Sequence, residues 1–240
     1  MKHIPLKFIK EDSAVGNADS SEDAKESTGM LKRLVADLRG QLAELSSDAE
    51  TLRRADLLLQ LGRALVRLEI RVEAWTAARE AFELYLAEQA WEGAAQSCDI
   101  LFLSDQPQSL AALGQGIWLA VTYPVDPELS VALLQHVVDE TPPDADGAAV
   151  AAVTAYYLVD LRAREPQRDD LLIYANQVFA TVARRHSGVE GQQEFDKWIG
   201  DMELNDPALF LPRLRNVVDV LVQDDWWFDR EALQAALPAE

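Results

Sequence analysis

Leu31-Lys32-Arg33-Leu34-Val35-Ala36-Asp37-Leu38-Arg39-Gly40-Gln41-Leu42-Ala43-Glu44-Leu45 decides the fold class. Leu31, Leu34, Leu38, Leu42 and Leu45 recur at steps of three and four, which gathers them into one stripe along a helix. Lys32, Arg33, Asp37, Arg39 and Glu44 fall off that stripe. A half-buried strand would need strict alternation instead. The stripe spans only about two heptads, so packing on a body of further helices is favoured over a coiled coil with a second copy.

The same pattern continues downstream. Ser47-Asp48-Ala49-Glu50 reads as a capping box opening a second helix that runs to about Glu69. Asp126-Pro127 and Asp206-Pro207 place proline in a first turn behind a capping residue, and Gln106-Pro107 is a weaker version. The spacing predicts helices near 29–46, 48–69, 71–89, 91–104, 107–122, 127–140, 148–164, 168–186, 190–202, 207–223 and 229–237. The intervening breaks are short, and no strand pattern interrupts them. The expected fold is all-α, with antiparallel helical hairpins stacked in series.

One hairpin is more specific. Leu58-Leu59-Gln60-Leu61-Gly62-Arg63-Ala64-Leu65 is followed by small residues at Ala74, Ala78 and Ala81. The Leu-Gly pair, the large residue three positions on, and the small residues at 74 and 81 resemble the tetratricopeptide family over about one repeat, 55–88. Ala78 stands where the family commonly carries an aromatic, and Leu58 where it carries Trp. The next Leu-Gly pair, Leu113-Gly114, comes 52 residues later, off the family's period of about 34. The resemblance implies a short tetratricopeptide-like α-solenoid with a concave peptide-binding surface.

Upstream of the stripe the composition changes. Residues 11–29 are rich in Ser, Asp, Glu, Ala and Gly, with Val15 the one branched apolar residue. Such a stretch buries too little to offset its ordering entropy, so it is expected to be a flexible linker. It sets off an apolar and basic island at 4–9, in which Ile4, Leu6 and Phe8 alternate; the island reads either as a docking peptide, on this protein or on a partner, or as a frayed terminus. The expected organisation is an N-terminal arm over 1–29 and a single helical domain over 30–240. Four lysines against six acids within 1–30 leave −17 of the net charge of −19 on the rest. That field opposes nucleic acid and anionic lipid and favours basic surfaces. No apolar run approaches the ~18 residues of a membrane span, and no signal peptide is recognisable, so a cytoplasmic location is expected.

The search for chemistry finds little. No phosphate-binding Gly-x-x-x-x-Gly-Lys occurs. Gly114-Gln115-Gly116 opens like a dinucleotide motif, but Leu119 occupies the third glycine position and no strand precedes it, so the pair reads as helix–helix packing. His3, His136 and His186 are dispersed, and no His-Glu-x-x-His or Glu-x-x-His exists. His136 with Asp139 and Glu140 reads as a polar helix end, with a weak cation site as its less favoured alternative. Cys98, the single cysteine, reads as a small apolar filler. Glu80 and Glu83 suit a solvated face, and Arg184-Arg185-His186 suits a helix C-terminus. No catalytic residue, metal or cofactor is expected.

Trp75, Trp91, Trp118 and Trp198 read as core. Asp224-Asp225-Trp226-Trp227-Phe228-Asp229-Arg230 is different, because three consecutive aromatics cannot share one face of a helix. Some must seal the end of the core while another meets a partner. Trp226, Trp227 and Phe228 are therefore candidate partner-binding residues, together with Ile4, Leu6 and Phe8. The expected function is a non-catalytic protein-interaction module, an adaptor, scaffold or assembly chaperone whose partner presents a basic or apolar surface. Two other readings stay open: an enzyme with a site between helices where the histidines meet acids, and an acidic mimic of nucleic acid.

Overall fold

The structure is a computed structural model that describes residues 21–45 and 51–237. The island carrying Ile4, Leu6 and Phe8, and the capping box at 47–50, lie outside the described residues. Eleven helices and no strand occur among the described residues. They are α1 (Ser21–Glu44), α2 (Thr51–Arg67), α3 (Arg71–Ala87), α4 (Trp91–Leu103), α5 (Ser109–Thr122), α6 (Pro127–Glu140), α7 (Asp146–Arg162), α8 (Arg168–Ser187), α9 (Gln192–Asp201), α10 (Pro207–Val222) and α11 (Arg230–Ala235). No helix among the described residues is long and apolar enough to cross a membrane.

In α1 the buried stripe is Val35 and Leu38, flanked by partly buried Leu31, Leu42 and Leu45. Leu34 lies at its edge, exposed, because a step of seven from Leu31 to Leu38 passes through residue 35 as well as 34. α1 begins at Ser21, inside the stretch expected to be linker. The helix begins eight residues before the expected start at 29, and ten before Leu31 opens the leucine stripe.

Sequential helices pair as stacked hairpins: α2 on α3, α4 on α5, α6 on α7. α2, α4, α6 and α8 neighbour one another in one layer, and α3, α5 and α7 make the other. Close approach is set by small residues. A Cβ on Gly62 would stand 3.2 Å from Ile100 and 3.4 Å from the Ala74 carbonyl, so α2, α3 and α4 meet at that glycine. Cys98 is fully buried against α5, and burial pushes its thiol far above the usual range.

The hairpin turns are tight without glycine. Glu69, Gln89 and Glu203 each adopt the left-handed region, with φ of 59°, 55° and 54°. The following amide bonds back across the helix end: Ile70 to Leu65 O at 3.0 Å, Ala90 to Tyr85 O at 2.9 Å, Leu204 to Ile199 O at 2.9 Å. This is the Schellman arrangement, which satisfies orphan carbonyls at a helix C-terminus. The helix starts are as chemically explicit. Asp126 accepts from the Glu128 amide at 2.8 Å and Asp206 from the Ala208 amide at 3.0 Å. Gln106-Pro107 does not open α5; the helix starts at Ser109, whose hydroxyl accepts from the Gln106 amide and donates to Leu101 O.

Three arginines tie one helix to the C-terminal end of another, two of them between helices that are not consecutive. α5, α6 and α9 have no basic residue in their last turns. Arg162 of α7 donates to Ala120 O at 2.5 Å and Val121 O at 2.9 Å, at the end of α5. Arg185 of α8 donates to Val138 O of α6 at 2.6 Å, and Arg213 of α10 to Met202 O at 2.5 Å. Each guanidinium meets exposed carbonyls at the negative end of a helix dipole. Burial lowers the Arg162 pKa from its ordinary value.

After α8 the chain reverses. α9 covers α8 through Phe179, Phe195 and Trp198, with ring centroids 5.3 and 5.4 Å apart about Phe179. α10 then returns across α5 and α7, and residues 223–229 run on toward α3.

Candidate functional site

The three candidate aromatics of the C-terminal segment are brought together, and they are half-buried rather than presented. Trp227 meets Trp75 edge-on at 6.1 Å and Phe82 at 5.4 Å, both on α3. Phe228 lies 6.4 Å from Phe82 and 5.3 Å from Trp118 of α5. Trp226 packs on Trp118 at 6.3 Å and on Phe228 at 5.6 Å. Two guanidiniums close the cluster: Arg79 sits 3.8 Å above the Trp227 ring, and Arg230 lies 4.5 Å from Trp226. A cation over a half-exposed indole contributes about 0.5–1 kcal/mol.

The seat is built by Gly114-Gln115-Gly116. A Cβ on Gly114 would stand 2.5 Å from a Val222 methyl and 3.0 Å from Leu221 Cβ, so α10 can land on α5 only at a glycine. A Cβ on Gly116 would meet Cys98 Cβ at 2.7 Å, on the other side of the helix. Between them, fully buried Gln115 reads the backbone of the arriving segment. Its Oε1 accepts from the Trp227 amide at 2.9 Å, and its Nε2 donates to Asp225 O at 3.4 Å. Gln108 Nε2 donates to the Asp225 carboxylate at 2.8 Å. A buried carboxamide must find both kinds of partner, and here the non-helical backbone at Asp225 and Trp227 supplies them.

The histidines are not brought together. His136 Nε2 is 2.8 Å from Asp99 Oδ1, and its ring lies 4.5 Å from Phe102. Asp139, the acid one turn away in sequence, instead accepts from Gln135. His186 lies 3.3 Å from Asp146, which also pairs with Arg213 at 3.1 Å, and receives the Trp198 indole N–H at 3.4 Å. His136 joins α6 to α4, His186 joins α8 to α7 and α9 in a separate cluster, and His3 lies outside the described residues. Among the described residues no group of three or more His, Cys, Asp or Glu side chains could hold a metal ion.

Of three concavities, one of about 410 Å³ lies beside Pro124, Pro127 and Arg162, and two others lie closer to the elements described above. One, about 160 Å³, lies between α5, α10 and α11 under Arg215 and Arg230, both engaged by Asp219. The other, about 410 Å³, is a groove between α6 and α8. Val131, Ala132, Leu171 and Tyr174 make its floor; Glu128, Gln135, His136 and Asp139 line its edge. Tyr174 is 45% exposed and the adjacent Ile173 53%. Sequence reasoning did not single out this groove, because Leu171, Ile173 and Tyr174 read as ordinary helix residues. It also missed Gln115 and Arg79 as the seat of the aromatic segment. The one available signal was a polar residue held between two close-packing glycines.

No protein-family model, no curated protein and no solved structure matches this chain.

Proposed function

We propose that this protein is a non-catalytic interaction module, an adaptor or scaffold that holds another protein on a face of a tetratricopeptide-like helical array. The observation that supports the reading most is the α6–α8 groove. Its floor is apolar, its edge carries Glu128 and Asp139, and no other described helix covers it. A partly buried apolar floor, open to solvent at Tyr174 and bordered by acids, fits a partner segment that alternates apolar and basic side chains. The net charge of −19 adds steering of the same sign. A dedicated assembly chaperone, shielding a basic subunit until it matures, is the more specific form of the same reading.

The catalytic alternative needs acids and histidines converging in one cleft, and His136 and His186 occupy separate clusters. The nucleic-acid mimic needs an unbroken run of carboxylates. Arg39–Glu73, Arg54–Glu80 and Arg71–Asp105 interrupt such a run on the first hairpins.

The test is affinity capture from the native host with the intact chain and with a Leu171→Asp, Tyr174→Asp variant. The reading expects a basic partner captured by the first and lost by the second, with helical content and unfolding midpoint unchanged. Equal capture by both would sink the assignment to this groove.

A further inference from the structure

The C-terminal segment occupies its seat in the manner of a bound peptide. It is irregular rather than helical over 225–229: it leaves α10 by a turn at 223–224, where Gln223 with φ of 53° breaks the helix and the Asp225 amide donates to Val222 O at 3.0 Å, and it bends at 227–228. Its backbone is held by one buried side chain, Gln115, which both accepts and donates. Its side chains enter by three different contacts. The Trp227 ring lies under Arg79 and against Trp75 and Phe82, Phe228 fits between Phe82 and Trp118, and the Asp225 carboxylate takes the Gln108 amide. The aromatics stay half-exposed, so the segment lies in a surface groove rather than inside the core.

A carboxamide that reads main-chain N–H and C=O is indifferent to which chain supplies them. Arg79 and the aromatic walls likewise recognise ring faces wherever they come from. We propose that the groove between α3 and α5 is a peptide-binding site that this protein fills with its own residues 225–228. Its external ligand is a partner segment of the same chemistry: a short non-helical stretch with adjacent aromatic residues and an aspartate two positions before the aromatic that lies under Arg79. The tethered copy holds the site closed, because tethering gives it an effective concentration near the millimolar range. A partner gains access by displacing it. The surface differs from the α6–α8 groove and takes a ligand of opposite charge, so it stands or falls independently of that assignment.

The test uses the full-length chain and a fluorescent synthetic peptide of residues 223–231. In a Trp227→Ala, Phe228→Ala variant the tethered copy is weakened while α3, α5 and Gln115 are intact. Fluorescence anisotropy is expected to show saturable peptide binding at least ten-fold tighter than to the unmodified chain. Adding Gln115→Leu to the variant is expected to remove it. A milder Trp227→Leu variant, tested alongside, keeps apolar bulk in the groove should the double change prove too disruptive. Binding that is absent from a folded variant, or equal in variant and unmodified chain, overturns the proposal. So does loss of helical circular dichroism in both variants, since the segment is then a permanent part of the core. Light scattering of the unmodified chain is expected to give a monomer with respect to this segment. A dimer that Trp227→Leu dissociates would overturn the proposal in favour of segment exchange between two copies.

Discussion

The two layers of this array end differently. The α3, α5, α7 layer is roofed by the chain itself, through α10 and the aromatic segment. The α2, α4, α6, α8 layer keeps a groove at α6–α8 that no described helix covers. Both layers come from the same hairpins, so the difference is local. α5 offers Gly114 and Gln115, which let a backbone approach and then bind it. α6 and α8 offer Val131, Leu171 and Tyr174, which present apolar side chains and no backbone reader. A helical array thus sorts its faces into closed and open by a few small or amphipathic residues, while the hairpin packing beneath stays the same.

The largest effect should come from breaking the roof at its closest contact. Gly114→Leu forces side-chain atoms into Val222 and the Val218 carbonyl. Overpacking of this kind costs about 3 kcal/mol or more when backbone must move. Urea unfolding should show that loss, and hydrogen exchange should place it in α10 and 223–229 while α6 and α8 keep their protection. Protection lost equally on both layers would mean that they are not separable.

Trp227→Ala removes the ring shared by Trp75, Phe82 and Arg79. A fully buried aromatic truncation costs roughly 3–5 kcal/mol; for a half-buried ring we expect about 2 kcal/mol in the same urea experiment. Arg162→Met tests a tie within the roofed layer, since this α7 side chain closes the C-terminal carbonyls of α5. Hydrogen bonds to a charged group are worth about 1.5–3 kcal/mol. The expected loss is about 2 kcal/mol, accompanied by faster exchange at residues 120–123.

The smallest change should be a gain. Glu69 holds a left-handed conformation that suits glycine, and its turn lies outside both faces. Glu69→Gly should raise stability by about 0.5–1 kcal/mol and leave peptide capture untouched. A loss instead would show that the Glu69 side chain makes a contact of its own.

The helices themselves were legible because their signals are local. Leucine stripes, Asp-Pro starts and short breaks place α2 to α4 and α6 to α11 within a few residues of where they occur. α5 starts two residues after Pro107 because Ser109 caps through the preceding turn, whereas α1 starts eight residues before the expected position, in a stretch with no apolar stripe to announce it. The Schellman turns at Glu69 and Gln89 lack the glycine that usually betrays them, so only the change of stripe marked those breaks. Trp226, Trp227 and Phe228 were conspicuous in sequence, yet their seat was not. Gln115 and Arg79 lie on helices far away along the chain, and nothing near either residue names its partner. The α6–α8 groove was invisible for a related reason: it exists only once two helices two steps apart lie side by side.

Residue-resolved hydrogen exchange of the unmodified chain at the Trp227 amide tests the closed face most directly. That amide donates to a fully buried Gln115 on a segment that can lift off alone. The account predicts exchange much slower than in a free peptide of residues 223–231, yet faster than the Phe82 and Leu113 amides, which open only on global unfolding. Exchange at the free-peptide rate would mean that the α3–α5 groove is not roofed at all.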